Sequence, residues 1–148
     1  MTERVMQSLA GMLKDALRRI ERLEAQETPM GFIPLATPAT STAFDGDLYD
    51  VDNDEVTVDT SASFGIPAGV KAVLIGVSAR CPTIGKAFRI GPSSLNFYAM
   101  ELHSQVASGW IDAHGIAPCN ADGDIYIQTD AEHGAEFEIW MEISGYWI

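Results

Sequence analysis

Glu136-Phe-Glu-Ile-Trp-Met-Glu-Ile-Ser144 sets Phe137, Ile139, Met141 and Ile143 on one side of an extended chain and Glu136, Glu138, Trp140 and Glu142 on the other. A period of two means a strand with one face on a core and one toward water, the antiparallel pattern. Trp140 breaks the rule: it is a large aromatic on the polar side. The segment runs on into Gly145-Tyr-Trp-Ile148, whose apolar character predicts a buried strand end or part of an interface.

Working outward, short runs rich in Val, Ile, Tyr, Phe and Trp recur between Gly, Pro, Asn and Asp clusters. Strands are expected near Glu55 to Thr60, Val70 to Ala79, Ala87 to Ile90, Asn96 to His103, Gly109 to His114, Asp124 to Thr129 and Ala135 to Tyr146, with no helix after residue 30. Many short strands with turn signals between them predict a mainly β fold, a sandwich or barrel. Ile66-Pro-Ala-Gly69 and Ala121-Asp-Gly-Asp124 have the form of tight turns. Val70 to Ala79 is apolar on both faces, so its outer side is expected to be covered by a neighbouring subunit.

Upstream of the strands the period changes. Met6, Leu9, Leu13, Ala16, Ile20 and Leu23 recur at alternating spacings of three and four, the heptad seam of a coiled coil. A parallel arrangement pairs Val5 with Ala10, Met12 with Leu17 and Arg19 with Glu24 across neighbouring helices, two apolar pairs and one ion pair. The apolar flanks widen the stripe, which suits three or more helices better than two. An amphipathic helix lying on its own domain is the competing reading. It is disfavoured by length, since about 20 helical residues span roughly 30 Å.

Pro29 disfavours helix in the residue before it, so the helix should end near Gln26 to Thr28. The expected divisions are a coiled-coil helix over 1–28, an extended Pro/Thr connector over 29–44 with room for a strand at Gly31 to Ala36, and a β-sandwich head over 45–148, with Asp45 to Glu55 opening the head as a solvated acidic loop.

The chain has 148 residues, enough for one domain and an appendage. Its net charge of -12 lies entirely in residues 29–148, because residues 1–28 balance five basic against five acidic side chains. An acidic surface repels phosphate backbones and anionic headgroups, which argues against nucleic acid and membrane surfaces as partners. Neither a signal-peptide h-region nor a membrane-spanning apolar run is visible, so synthesis in a cytoplasm and a soluble product are expected. Cys81 and Cys119 fall outside any CxxC pattern and are expected as free thiols.

No nucleophile elbow, zincin, Walker or dinucleotide motif occurs, and His103, His114 and His133 are scattered without a nucleophile beside them. A non-enzymatic protein without a cofactor is expected. Asp50-x-Asp52-x-Asp54 opens like an EF-hand loop, but Glu55 stands at the glycine position and Ser61 at the terminal glutamate position, so no metal site is assigned. Asn120, Asp122 and Asp124 form a second, irregular cluster of oxygen ligands that reads as a loop. The best candidate for binding is Trp110, Asp112 and His114, which share one face of a strand, with Trp140 as a second outward aromatic. Sugar sites use such sets, an aromatic for the ring and polar side chains for the hydroxyls. Burial of the same aromatics between subunits is the alternative.

Arg19-Ile20-Glu21-Arg22-Leu23-Glu24 resembles the Arg-h-x-x-h-Glu motif of parallel three-stranded coiled coils, where h is apolar. The resemblance implies that Arg19 covers the seam and pairs with Glu24 of the adjacent chain. The full layout is similar to that of small virion-associated proteins of tailed bacteriophages, of fibre, head-fibre or decoration type. The similarity rests on the short coil, the Pro/Thr connector, Gly65-Ile-Pro-Ala-Gly-Val-Lys-Ala-Val-Leu-Ile75 and the Gly-Tyr-Trp ending. It implies a homotrimeric, jelly-roll-like structural protein of the virion, attached to other virion proteins. The alternative is a trimeric head that binds a carbohydrate or host receptor, such as a host-surface glycan.

Overall fold

The computed structural model describes residues 12–19, 31–49, 52–93, 98–130 and 137–148. The chain divides into two units, Met1–Met30 and Gly31–Ile148. In the first unit, residues 12–19 form a helix, α1, exposed along its whole described length. Met12, Leu13 and Leu17, the apolar residues of its widened heptad stripe, are 68%, 64% and 51% exposed. Of the expected seam, Leu13, Ala16 and Arg19 fall on α1; Met6, Leu9, Ile20, Leu23 and Glu24 lie outside the described residues.

The second unit contains β1 (Phe32–Tyr49), β2 (Asp52–Val58), α2 (Thr60–Phe64), β3 (Ala72–Arg80), β4 (Ala87–Gly91), β5 (Met100–His103), β6 (Trp110–Pro118), β7 (Ile125–Asp130) and β8 (Phe137–Trp147). They form two antiparallel four-stranded sheets, ordered β1-β8-β3-β6 and β2-β7-β4-β5. Only β4 and β5 are sequence neighbours that pair; every other link between successive strands crosses to the opposite sheet, the double Greek-key wiring of a jelly roll. Alternation decides which side each strand buries. Val73, Ile75, Val77 and Ala79 of β3 and Phe137, Ile139, Met141 and Ile143 of β8 face Phe88, Ile90, Leu102, Ile125 and Ile127 of the other sheet in one continuous core.

Three expectations are corrected here, each for a physical reason. The strand expected at Gly31 to Ala36 within the connector is present but runs on through the rest of it: from Phe32 onward the segment is β1, which pairs with β8 from Phe32↔Trp147 to Tyr49↔Phe137. Its prolines, Pro34 and Pro38, are tolerated because β1 is an edge strand, and register shifts between Pro34 and Ala39 absorb the missing donors. The acidic loop expected over Asp45 to Glu55 is largely strand as well, since Asp45 and Asp47 pair within β1 and Asp52 to Glu55 open β2. Helix also occurs after residue 30. Asp59 caps α2, its Oδ1 accepting from the backbone N–H of Ser61 and Ala62 at 2.9 Å, and Gly65 closes it in the left-handed conformation. The Ala62 bond, with those from Ser61, holds the Asp59 carboxyl below its ordinary range. Phe64 then stacks on Phe44 of β1, ring centroids 5.9 Å apart.

Asn120, considered as an ion ligand, instead closes a turn, its Oδ1 accepting from the N–H groups of Asp122 and Asp124 at 2.9 Å. Cys81 and Cys119 are free thiols, as expected. Burial, with the Asp124 carboxylate, pushes the Cys119 thiol up to about 11. No helix among the described residues is long and apolar enough to cross a membrane.

Candidate ligand-binding face

Strand register turns four scattered residues into one surface. On the outer face of the β1-β8-β3-β6 sheet, Trp110 of β6 pairs with Arg80 of β3, which pairs with Glu138 of β8. The next outward row is Asp112, Ser78 and Trp140, continued on β1 by Asp45; the row after that is His114, Gly76 and Glu142, continued by Thr40. The four candidates Trp110, Asp112, His114 and Trp140 therefore share a single face. The two tryptophans sit diagonally, two strands and two residues apart, so their backbones are separated by about 12 Å.

Both indoles are held, and both stay accessible. Trp110 is 44% and Trp140 46% exposed. The Arg80 guanidinium lies over the Trp110 ring, 4.8 Å from its centroid, and is itself gripped by Glu138 through two bonds of 2.7 Å. That bidentate bond also raises the Arg80 pKa. One face of Trp110 is thus backed by a fixed cation. Trp140 lies against Gly46 of β1, where an added Cβ would be 2.8 Å from Cζ2 of the ring; the residue has φ of +82°. Glycine is needed there twice, for the left-handed backbone and for the ring lying on it.

Between the tryptophans the floor is polar. Ser78 donates through Oγ to Oδ1 of Asp112, which orients the carboxylate. Ser78, Trp110, Asp112 and Trp140 line an open depression of about 460 Å³. Beyond Trp140 a second, more enclosed depression of about 270 Å³ is lined by residues that include Thr40, Asp45, Gly76, Ser78, His114 and Glu142. Gly76 is buried at its base, and a Cβ there would approach His114 Nε2 to 2.9 Å and Glu142 Cγ to 3.2 Å. Among the described residues no cluster of three or more His, Cys, Asp or Glu is placed to hold a metal ion.

The other end of the same outer face differs in kind. Phe32 crosses Gly145 and packs on Trp147 at 4.6 Å, with Leu74 and the 53% exposed Ile116 on the neighbouring strands. This is the outward apolar surface that the reading of Val70 to Ala79 anticipates, but it occupies only the Ala72 and Leu74 half of β3. From Gly76 onward the outward positions are polar.

Ser78, Arg80, Gly76, Glu138, Glu142, Thr40 and Gly46 all shape this face, and none stands out in the sequence as a site residue. Ser78 and Arg80 have a local signal, being polar at alternate positions of an otherwise apolar strand. His103 sits apart, 3.4 Å from Glu101 on β5 of the other sheet.

No family model matches the chain, and no curated protein matches it in sequence. Among solved structures it is similar to a carbohydrate binding module from Cellvibrio mixtus lichenase 5A in complex with cellotriose, at 13% identity and a TM-score of 0.35, over 78% of this chain and 96% of that one. A likeness this distant carries no functional argument.

Proposed function

We propose that the sandwich is a carbohydrate-binding head. The observation that carries the reading is the pair of half-exposed, immobilised tryptophans flanking a floor of hydrogen-bonding side chains. A sugar ring presents apolar C–H faces and a rim of hydroxyls, which calls for an aromatic plane beside carboxylate and hydroxyl partners. The alternative occupant, another subunit, is better served elsewhere on the sheet, where Phe32, Leu74 and Ile116 make an apolar patch without that polar floor. On a glycan array the intact chain is expected to retain a defined set of glycans, and Trp140→Ala or Trp110→Ala to lose them by at least about tenfold in affinity. Unchanged binding in both variants, with unchanged thermal unfolding, removes this reading.

A second proposal concerns assembly. Leu13 on the heptad seam of α1 is exposed together with Met12 and Leu17 that flank it, and a hydrophobic stripe of that kind is stabilised by helices of other copies. We infer a non-enzymatic homotrimer whose heads are displayed from a coiled-coil stem, and the layout supports a place on a tailed-phage particle, bound there to other virion proteins. Light scattering on the intact chain is expected to give three times the 16.0 kDa chain mass. Deletion of residues 1–26 should shift the protein toward lower mass, and a monomer from the intact chain overturns the proposal.

A further inference from the structure

The two depressions are not separate pockets. They share Ser78 and Trp140, so Trp140 is a partition between two compartments of one cleft rather than its end wall. The inner compartment, about 270 Å³, lies below the usual range for a drug-sized ligand and holds no more than a small ring. The outer compartment runs from Trp140 to Trp110, the diagonal of about 12 Å that is longer than one sugar ring.

Gly76 is what makes the inner compartment. On either side of it, His114 and Glu142 lean over the strand into the space a side chain would fill. Those two side chains with Thr40 and Asp45 supply donors and acceptors around the space, and Asp112 and Ser78 supply them in the outer one.

Charge narrows the ligand further. Asp45, Asp112 and Glu142 line the cleft, while Arg80, behind Trp110, is already committed to Glu138 and to the Trp110 ring. The carboxylates accept from hydroxyl groups and repel anionic sugars, and the chain's net charge of -12 acts in the same direction.

We propose, resting on the carbohydrate reading, that this cleft binds an oligosaccharide without anionic groups, of at least two linked rings, one stacked in the Trp110–Trp140 compartment and the next seated in the inner compartment against the His114 and Glu142 side chains that cover Gly76. Arg80 is then a positioning residue for the Trp110 plane, and Gly76 sets how many rings the cleft accepts.

The test uses the full chain and immobilised series of glucose, galactose, mannose, rhamnose and N-acetylglucosamine oligomers, one to six units long, beside galacturonate and glucosamine oligomers as charged counterparts. For the series that binds, two or more units are expected to bind at least about tenfold tighter than one. Gly76→Leu fills the inner compartment, and His114→Ala empties one wall of it without crowding the strand, so the pair remains informative if the leucine variant fails to fold. Each is expected to reduce the affinity for the longer oligomers toward that for the monosaccharide. Equal affinity for one and several units, preference for the galacturonate series, or full oligomer binding in folded variants overturns the assignment while leaving the carbohydrate reading standing. A blank array from folded protein overturns both.

Discussion

Phe137→Ala is expected to lower the unfolding free energy by about 4 kcal/mol, measured as a fall in the urea midpoint at constant slope. Phe137 opens β8 and is fully buried; its ring meets that of Phe88, on β4 of the opposite sheet, at 6.3 Å and a tilt of 42°. The contact joins the two sheets. Removing the ring takes away apolar area and leaves a cavity whose walls are strands paired on both sides, β8 by β1 and β3 and β4 by β5 and β7. Such walls cannot collapse without breaking ladders, so the upper part of the large-to-small range applies. Against a total stability of about 5–15 kcal/mol this is a severe loss. A fall below about 1 kcal/mol would place Phe137 outside the core.

Gly123→Ala is expected to cost about 3 kcal/mol, from two sources that a second variant separates. Gly123 has φ of +93°, and a Cβ would lie 2.7 Å from the backbone N of Gly69 and 3.0 Å from that of Val70. Those atoms belong to the chain entering β3 and have no flexible side chain to move aside. The site is also a tie between three segments: Gly69 donates its N–H to Asp122 O at 2.8 Å, and Thr60 at the start of α2 donates its hydroxyl to Gly123 O at 2.7 Å. Displacing residue 123 therefore strains a buried hydrogen bond as well. Gly85 has nearly the same backbone, φ of +83°, with nothing within 4 Å of an added Cβ. Gly85→Ala should cost about 1 kcal/mol, the conformational penalty alone. Equal melting temperatures for the two variants would show that the close approach at Gly123 has no energetic weight.

How much of this fold could be read from the chain depends on the kind of signal. Phe137, Ile139, Met141 and Ile143 announce β8 because alternation is local and tertiary packing agrees with it. The full length of β1 is hidden because Pro34 and Pro38 look like connector residues, and only the sheet order reveals that they occupy an edge where a missing N–H does no harm. Periodicity also finds Trp110, Asp112 and His114, since they lie at alternate positions of one strand. That Trp140 faces outward is legible too. Its position in the same row as Asp112, with Ser78 between, depends on pairings between residues more than 30 apart, which no local pattern encodes. Gly76 and Gly46 illustrate the same limit, because each is required by a side chain that arrives from another strand.

The chain has only three tryptophans, and their placement makes the protein its own optical reporter. Trp110 and Trp140 stand half-exposed in the cleft, while Trp147 lies at the opposite end of the same face against Phe32. Indole emission shifts with the polarity of its surroundings, so any occupant that displaces water from the cleft changes the spectrum of two fluorophores and leaves the third as an internal standard. An occupant of the apolar end does the reverse. The two ends of one sheet can thus be followed separately in unlabelled protein, by removing Trp147 in one sample and the cleft pair in another.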